Sequence, residues 1–370
     1  MQISKISLKT KPELAFIRDF LRSYTKRAFL VGGSVRDLFL GLEVNDFDIE
    51  LYDLSIEDFE KLMQKLGAKG FGKSFFVYKF ENFDLSLARI ENKISYGHKG
   101  FEVSLCQDEK IAAKRRDFSI NALMINIFND ELLDFYNGLN DLQNGILRHI
   151  DDDSFKEDSL RILRAIYFVS RFNFDINDLS LKLMQSMDIS DLSLDRINSE
   201  LYKFFKGQYI SKAFFYLQKL NLEKRLFNLD TNDENFIILL EKYRKFIKDD
   251  SFFLYFYLNY FNINKKNFFK RTRLKNSYLK ASYEPFFKDD MSDFDFMKIS
   301  TLMPLKTWLG LWDEERIKRA RELKIYNESF KSEISSQSLM QQGFYGKMLG
   351  EKLASLKELE LKNYLKKFKD

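Results

Sequence analysis

The sequence predicts an α+β protein: a small mixed sheet with short helices at the N-terminal end, then an all-helical remainder. Three observations carry this. Ten of the fifteen glycines lie at or before Gly145 and none falls between Gly207 and Gly310, so tight turns concentrate in the first part. Period-two alternation occurs there, as in "DFDIELY", where Phe47, Ile49 and Leu51 face one way and Asp46, Asp48 and Glu50 the other. From Ser154 onward the apolar spacing becomes helical, in "SFKEDSLRILRAIYFVSRF", "LDRINSELYKFFKG", "ISKAFFYLQKLN" and "SLMQQGFYGKMLGEKLASLKELELKNYLKKF".

Within the first part, "RAFLVGG" reads as a short apolar strand ending in a turn, and "SVRDLFLG" as a short helix closed by Gly41. "DFDIELY" is the next strand. "SIEDFEKLMQKLG" is an amphipathic helix ending at Gly67. "FFVYKF" and "FDLSLARI" read as strands, "SYGHKG" as a glycine-bracketed loop, and "DFSINALMINIF" as ambiguous, polar first and then apolar. The 370 residues exceed one compact core, and 45% hydrophobic content excludes a disordered chain. A single cysteine, Cys106, excludes an internal disulfide framework and fits a small buried residue in a reducing compartment. No apolar run reaches membrane-spanning length, and the opening "MQISKISLKTKPELAF" lacks the apolar stretch of a signal peptide. The expectation is a cytoplasmic protein with no membrane partner and no obligate protein partner.

Chemistry enters with the two aspartates. Asp46 and Asp48 occupy positions i and i+2 of a strand, so both carboxylates point to one face with Cα atoms roughly 6.5–7 Å apart. Such a pair can share hard cations such as Mg²⁺ and serve phosphoryl transfer, though a solvated strand face reads the same way. Glu50 lies about 13 Å from Asp46 by the same rise, too far to join easily. A third carboxylate must come from another strand, and Asp84, on the polar face of "FDLSLAR", is the candidate. Upstream, Gly32, Gly33 and Ser34 at a helix start let backbone N–H groups approach an anion, and Arg36 adds a charge-assisted contact. The plainer alternative is a strand-to-helix turn with Ser34 as N-cap. Further on, Glu157, Asp158, Arg161 and Arg164 are spaced as one face of a helix whose Leu160, Leu163, Ile166 and Phe168 pack elsewhere. A surface salt-bridge ladder has the same spacing.

Charge distribution points to a polyanion. The net charge is only +5, but "KKNFFKRTRLKNSYLK" (265–280) holds seven basic residues and no acidic one. Lys265, Lys266, Lys270, Arg271, Arg273 and Lys275, interleaved with Phe268, Phe269 and Tyr278, suit a phosphate backbone plus base stacking; a solvated helix face is the alternative. His98 and His149 read as loop and turn residues.

Taken in order, the motifs resemble the tRNA nucleotidyltransferases, or CCA-adding enzymes, of the class shared with bacterial poly(A) polymerases. "VGGSVRD" with "DFDIE" is similar to that family's first motif, "RRDFSINAL" (115–123) to the second, "DFYNGLNDL" (134–142) followed by "LRHI" to the third, "EDSLRILRA" (157–165) to the fourth and "LSLDRINSEL" (192–201) to the fifth. The resemblance covers about residues 28–205. It implies a polymerase beta-like nucleotidyltransferase head over residues 1–143. A helical neck at 144–205, a helical body at 206–283 and a tRNA-binding helical tail at 284–370 would follow. By the same resemblance Asp46 and Asp48 would bind Mg²⁺, with Asp84 as third ligand or base. Gly33 and Arg36 would hold the triphosphate. Arg116 and Asp117 would meet the ribose and phosphates, with Asn121 orienting them. Asp158, Arg161 and Arg164 would read the base, with Glu157 holding Arg161. The implied activity is addition of C, C and A to tRNA from CTP and ATP. CC-only, A-only and poly(A) addition remain as alternatives within the class, and a non-catalytic RNA-binding protein as one outside it; the loop "KISYGHKGFEVS" has a length consistent with full addition.

Overall fold

The computed structural model describes residues 7–8, 11–70, 76–93, 101–286 and 291–368. They form two compact units, Met1–Glu200 and Leu201–Asp370. His98 lies outside the described residues.

The first unit starts with α1 (Ala15–Leu21), β1 (Ala28–Val31), α2 (Gly33–Phe39), β2 (Phe47–Leu51), α3 (Ile56–Leu66) and β3 (Lys69–Gly70). It continues through β4 (Val77–Phe80), β5 (Phe83–Leu87), β6 (Arg89–Lys93), β7 (Phe101–Leu105), α4 (Glu109–Lys114), β8 (Met124–Asn126) and β9 (Leu132–Leu133). Seven of these strands make one mixed sheet in the order β3-β4-β5-β2-β1-β8-β9, while β6 and β7 pair separately. Only β2 and β5 run parallel within the large sheet. The alternation holds: Phe47, Ile49, Leu51, Phe83, Leu85 and Leu87 are all buried, and the Phe47 and Phe83 rings stack at 5.5 Å. The opposite face therefore carries the polar row. "FDLSLARI", expected as one strand, is two. At buried Ala88 the backbone changes partner, its N–H bonding Leu51 and its carbonyl Cys106.

The helical part of this unit holds α5 (Gly138–Asn144), β10 (Ile146–Leu147), α6 (Asp152–Lys156), α7 (Leu160–Phe172), β11 (Asp175–Ile176) and α8 (Asp178–Ser186). α9 (Leu194–Lys206) runs across the boundary into the second unit. The continuous helix expected over 154–172 is broken. Glu157 ends α6, Ser159 precedes α7, and the N–H groups of Glu157, Arg161 and Ile162 make i−3 bonds to Ser154, Asp158 and Ser159. Glu157 and Asp158 are thus off the helix that carries Arg161 and Arg164, which corrects the single-face expectation.

Among its described residues the regular elements of the second unit are helices: α10 (Ile210–Lys219), α11 (Glu234–Arg244), α12 (Phe252–Tyr260), α13 (Lys265–Thr272), α14 (Asn276–Ser282), α15 (Asp293–Ser300), α16 (Glu314–Glu322), α17 (Ser336–Gln341) and α18 (Gly346–Leu365). The last expected helix is divided at Gly343, where φ is +89°. Phe252 to Leu258 are buried without interruption, so α12 is the central rod around which the aromatic residues pack. The buried Arg244 guanidinium donates to the carbonyls of Phe205, Lys206 and Gly207 and so caps the C-terminal end of α9. No helix among the described residues is long and apolar enough to cross a membrane.

Candidate active site

The polar row of the sheet is set by register. Asp48 sits opposite Asp84 across the parallel β2–β5 pair, and Lys79 opposite Asp84 across the antiparallel β4–β5 pair. Neighbouring strands lie about 4.8 Å apart, so these three side chains leave one face side by side. Asp46 precedes β2 and completes the group: Lys79 Nζ lies 3.2 Å from Asp46 Oδ1 and 3.4 Å from Asp84 Oδ1. Burial raises the Asp48 carboxyl above its usual range; the nearby charges of Asp84 and Asp46 push the same way and Arg116 opposes them. The group is short of positive charge, and an ammonium already stands between two of its members. Those donors fit a divalent cation, although among the described residues no three such side chains converge as a finished ligand set.

The turn between β1 and α2 abuts this row. Gly32 has φ +68° and ψ −134°, a region closed to side chains, and a Cβ there would lie 3.2 Å from Arg116 Nη1 and 3.8 Å from Asp48 Oδ2. Glycine is needed for both the turn and the close approach of Arg116. Ser34 is not the N-cap. It lies inside α2, donates its hydroxyl to the Asp46 carbonyl at 3.0 Å and accepts from the Asp48 N–H at 3.1 Å, which clamps the strand that presents both aspartates.

Beside the row opens a cavity of about 460 Å³ lined by Gly32, Gly33, Arg36, Asp48, Arg115, Arg116, Asp117, Asn121, Asp158, Leu160, Arg161, Arg164, Tyr167 and Phe168. Five guanidiniums face three carboxylates there. Burial lowers the pKa of Arg36, Arg116 and Arg161 from its ordinary value, the sign of cations without full compensation. Such a wall suits a ligand with several negative charges, a nucleoside triphosphate among them.

Each arginine is held in place. Glu50, 1% exposed, accepts from Arg115 Nη2 at 2.7 Å, Arg116 Nη2 at 3.3 Å and the Tyr52 hydroxyl at 2.8 Å. Burial opposes its ionisation, but the two guanidiniums and the tyrosine hold its pKa below the usual carboxylate range. Asp117 behaves likewise: burial is overridden by Arg164, whose Nε donates at 2.7 Å, and by Asn121, whose Nδ2 donates at 2.7 Å. Asn121 Oδ1 in turn accepts from Arg36 Nη1 at 2.6 Å, and Arg36 also binds Asp37, which binds Arg171. The ring planes of Phe168 and Phe172 flank Arg36 at 5.1 and 4.9 Å. "DFSINAL" supplies this chain by folding as a 3₁₀ turn at Ser119–Asn121.

That turn rests on the third motif. Asp134 accepts from the N–H groups of Gly138 and Leu139, and fully buried Asp141 accepts from Ser119 Oγ at 2.6 Å and from Arg148. A Cβ on Gly138 would lie 2.2 Å from the Ser119 carbonyl oxygen. The motif supplies none of the residues lining this cavity; it props the turn that supplies Asn121.

Arg161 and Asp158 are positioned separately. Arg161 Nη1 donates to the Ser154 carbonyl at 2.8 Å and Nη2 to the Arg115 carbonyl at 2.6 Å, while Glu157 and Asp158 act on it through charge. The expected Glu157 anchor is therefore shared with two backbone oxygens. Asp158 is bound by Arg196 Nη2, at 2.9 and 3.2 Å from its two oxygens, and by the Leu160 N–H. Sequence reasoning missed Glu50, Lys79, Arg115 and Arg196. Arg115 adjoins Arg116 and could have been named with it; Arg196 lies 38 residues from its partner with no local signal.

In the second unit, Lys266, Lys270, Arg271, Arg273 and Lys275 are exposed, whereas Lys265 is half-buried beside Asn259. Phe268, Phe269 and Tyr278 are buried at 5–7% exposure, and the Tyr278 hydroxyl donates to Asp250. They are core residues, which removes the base-stacking part of the expectation and leaves the charges.

Sheet, turn and arginine wall together define a class of head that a known family model also describes. Residues 28–148 match the model for the Poly A polymerase head domain. Over 202 residues the chain is 36% identical to the Multifunctional CCA protein of Nitrosospira multiformis, a match covering 52% of this chain and 47% of that one. It is 34% identical over 200 residues to the CCA-adding enzyme of Staphylococcus haemolyticus, covering 52% and 50%. The chain thus spans about half the length of the curated relatives it matches. The fold extends further than these matches. The crystal structure of the Bacillus stearothermophilus CCA-adding enzyme in complex with CTP superposes with a TM-score of 0.69 over 95% of this chain and 92% of that one, at 19% identity. A tRNA nucleotidyltransferase complexed with a primer tRNA and an incoming ATP analog gives 0.62 over 82% and 96%, at 21% identity. The chain has the fold of these enzymes.

Proposed function

We propose that this protein extends the 3′ end of tRNA with C, C and A, using CTP and ATP and releasing pyrophosphate. The observation that carries the reading is the row of Asp46, Asp48 and Asp84 beside a cavity walled by five arginines. Asp46 and Asp48, with Asp84 as the third ligand or the base, would hold Mg²⁺, which when bound neutralises phosphate charge and polarises the α-phosphate. Arg36, Arg115 and Arg116 bind the triphosphate. Asp117 and Asn121 keep Arg36 and Arg164 aimed inward, and in the base role Asp84 would accept the proton of the attacking 3′-hydroxyl. Residues 1–143 act as the catalytic head, 144–205 as the neck. The body (206–283), with Lys266, Lys270, Arg271, Arg273 and Lys275, and the tail (284–370) hold the tRNA, in the cytoplasm.

Base choice follows from hydrogen-bond inventory. Cytosine presents an amino donor beside a ring-nitrogen acceptor, and adenine presents the same pair; uracil and guanine reverse it. A carboxylate only accepts and a guanidinium only donates. Of about five N–H donors on Arg161 two go to carbonyls, and of about four acceptor sites on Asp158 three are taken by Arg196 and Leu160, so each keeps capacity for one base edge. A reversed edge would leave two buried groups unpaired, at about 1–3 kcal/mol each.

The test is incubation with tRNA ending at the discriminator base, at the first C or at the second C, with labelled CTP and ATP supplied singly and together. Stepwise completion of all three confirms the reading. CC only, A only, or a run of A identifies the narrower activities, and no incorporation with retained tRNA binding identifies a non-catalytic binder.

A further inference from the structure

Lys79 has no part in the chemistry above, yet its ammonium sits inside the carboxylate group. We propose that Lys79 is a built-in competitor for the divalent cation: its ammonium occupies the carboxylates of Asp46 and Asp84, and it must rotate away for them to turn onto the metal. The inference rests on the metal reading of Asp46, Asp48 and Asp84.

Geometry carries it. The Lys79 backbone is fixed opposite Asp84 by strand register, so the residue cannot leave the row. Its side chain is a flexible four-carbon stem, 40% exposed, so the ammonium can leave. It spans Asp46 Oδ1 and Asp84 Oδ1 at 3.2 and 3.4 Å, bridging a residue before β2 to one on β5. The bridge sets one positive charge between two of the three neighbouring carboxylates, and the same charge acts on the third, Asp48, from nearby. The oxygens it holds, Asp46 Oδ1 and Asp84 Oδ1, are among those a cation at this row would need. Metal entry therefore exchanges one cation for another at these oxygens. A competitor of this kind lowers metal affinity by the strength of the two contacts it gives up, and it makes the carboxylate group tolerable in the fold without demanding tight metal binding. Lys79 is in this sense a positioning residue, acting through the aspartates.

The test is direct binding of Mn²⁺ to the full chain, followed by electron paramagnetic resonance, for wild type, Lys79→Met, Lys79→Gln, Lys79→Arg and Asp48→Asn. Lys79→Met and Lys79→Gln should bind Mn²⁺ about three- to tenfold more tightly, the range that two half-exposed ion pairs can supply. Lys79→Arg, which keeps the charge, should stay close to wild type. Unchanged or weaker binding in both neutral variants overturns the proposal. Full Mn²⁺ binding by Asp48→Asn overturns the metal reading itself, and is distinguishable because it does not involve Lys79.

Discussion

Replacing Glu50 with Gln removes one negative charge from between two guanidiniums while preserving shape. Glu50 is 1% exposed and accepts from Arg115, Arg116 and the Tyr52 hydroxyl. The amide keeps one acceptor oxygen but turns N–H donors toward a guanidinium, which can only donate. Breaking a buried ion pair by neutralising one partner costs about 3–5 kcal/mol. Arg115 keeps a partial anchor, since its carbonyl still accepts from Arg161, so the lower end, about 3 kcal/mol, is expected. The sign with pH is fixed. The folded pKa of Glu50 lies below its unfolded value of about 4.3, so its contribution is present above that value and is lost as pH falls through the folded pKa. Urea unfolding followed by circular dichroism should show the full deficit of Glu50→Gln at pH 7, shrinking as pH falls below the unfolded value of about 4.3 and gone once pH has passed the lower folded pKa, where the folded wild-type side chain is neutral too. Nucleotide affinity should fall with it, because Arg115 and Arg116 line the cavity. A variant within about 0.5 kcal/mol of wild type at pH 7, or a deficit that persists undiminished in acid, would refute the assignment of Glu50 as the counter-charge of both arginines.

Asp158→Ala should let UTP and GTP compete for incorporation, and an unchanged ratio of CTP to UTP use would move base selection elsewhere. Arg196→Ala, which frees the Asp158 carboxylate, should relax the same ratio by about tenfold with Arg196→Lys restoring part of it, as competition assays can read. Gly138→Ala places a methyl against the Ser119 carbonyl and should cost about 1–3 kcal/mol and weaken nucleotide binding, measured by melting and by calorimetric titration. Replacing Lys270, Arg271 and Arg273 by Ala should weaken tRNA binding and flatten its dependence on salt; equal slopes would make the stretch a solvated face.

Local pattern made the sheet and the row of aspartates legible. Alternation put Asp46 and Asp48 on one face of their strand and Asp84 on the polar face of its own, and only strand pairing could bring the two faces together by setting Asp84 opposite Asp48. The break after Glu157 was illegible because no glycine or proline marks it; the apolar period runs through while the Ser154 carbonyl turns to Arg161. Glu50 was set aside because distance from Asp46 argued against shared metal binding, yet its burial beneath the arginines depends on Arg115 and Arg116, 65 and 66 residues away. The aromatic residues of 265–280 show the converse. A helix of mixed Lys and Phe carries one face of each kind, and the buried face belongs to the core however basic its neighbours are.

Two residues, Glu81 and Asn82, form the turn between β4 and β5, where Phe80 pairs with Phe83 and the Asn82 carbonyl accepts from the N–H of Phe47. Because strands alternate in twos, a one-residue change there that shifts the pairing of β4 with β5, rather than being absorbed as a longer loop, would turn Lys79, or else Asp84, through the sheet to the apolar side. Glu81, with φ +50°, already holds a backbone that few side chains adopt, so both the identity and the length of this turn are constrained: a change that slips the pairing acts as a frameshift in three dimensions, leaving every downstream residue correctly spelled and the centre unreadable.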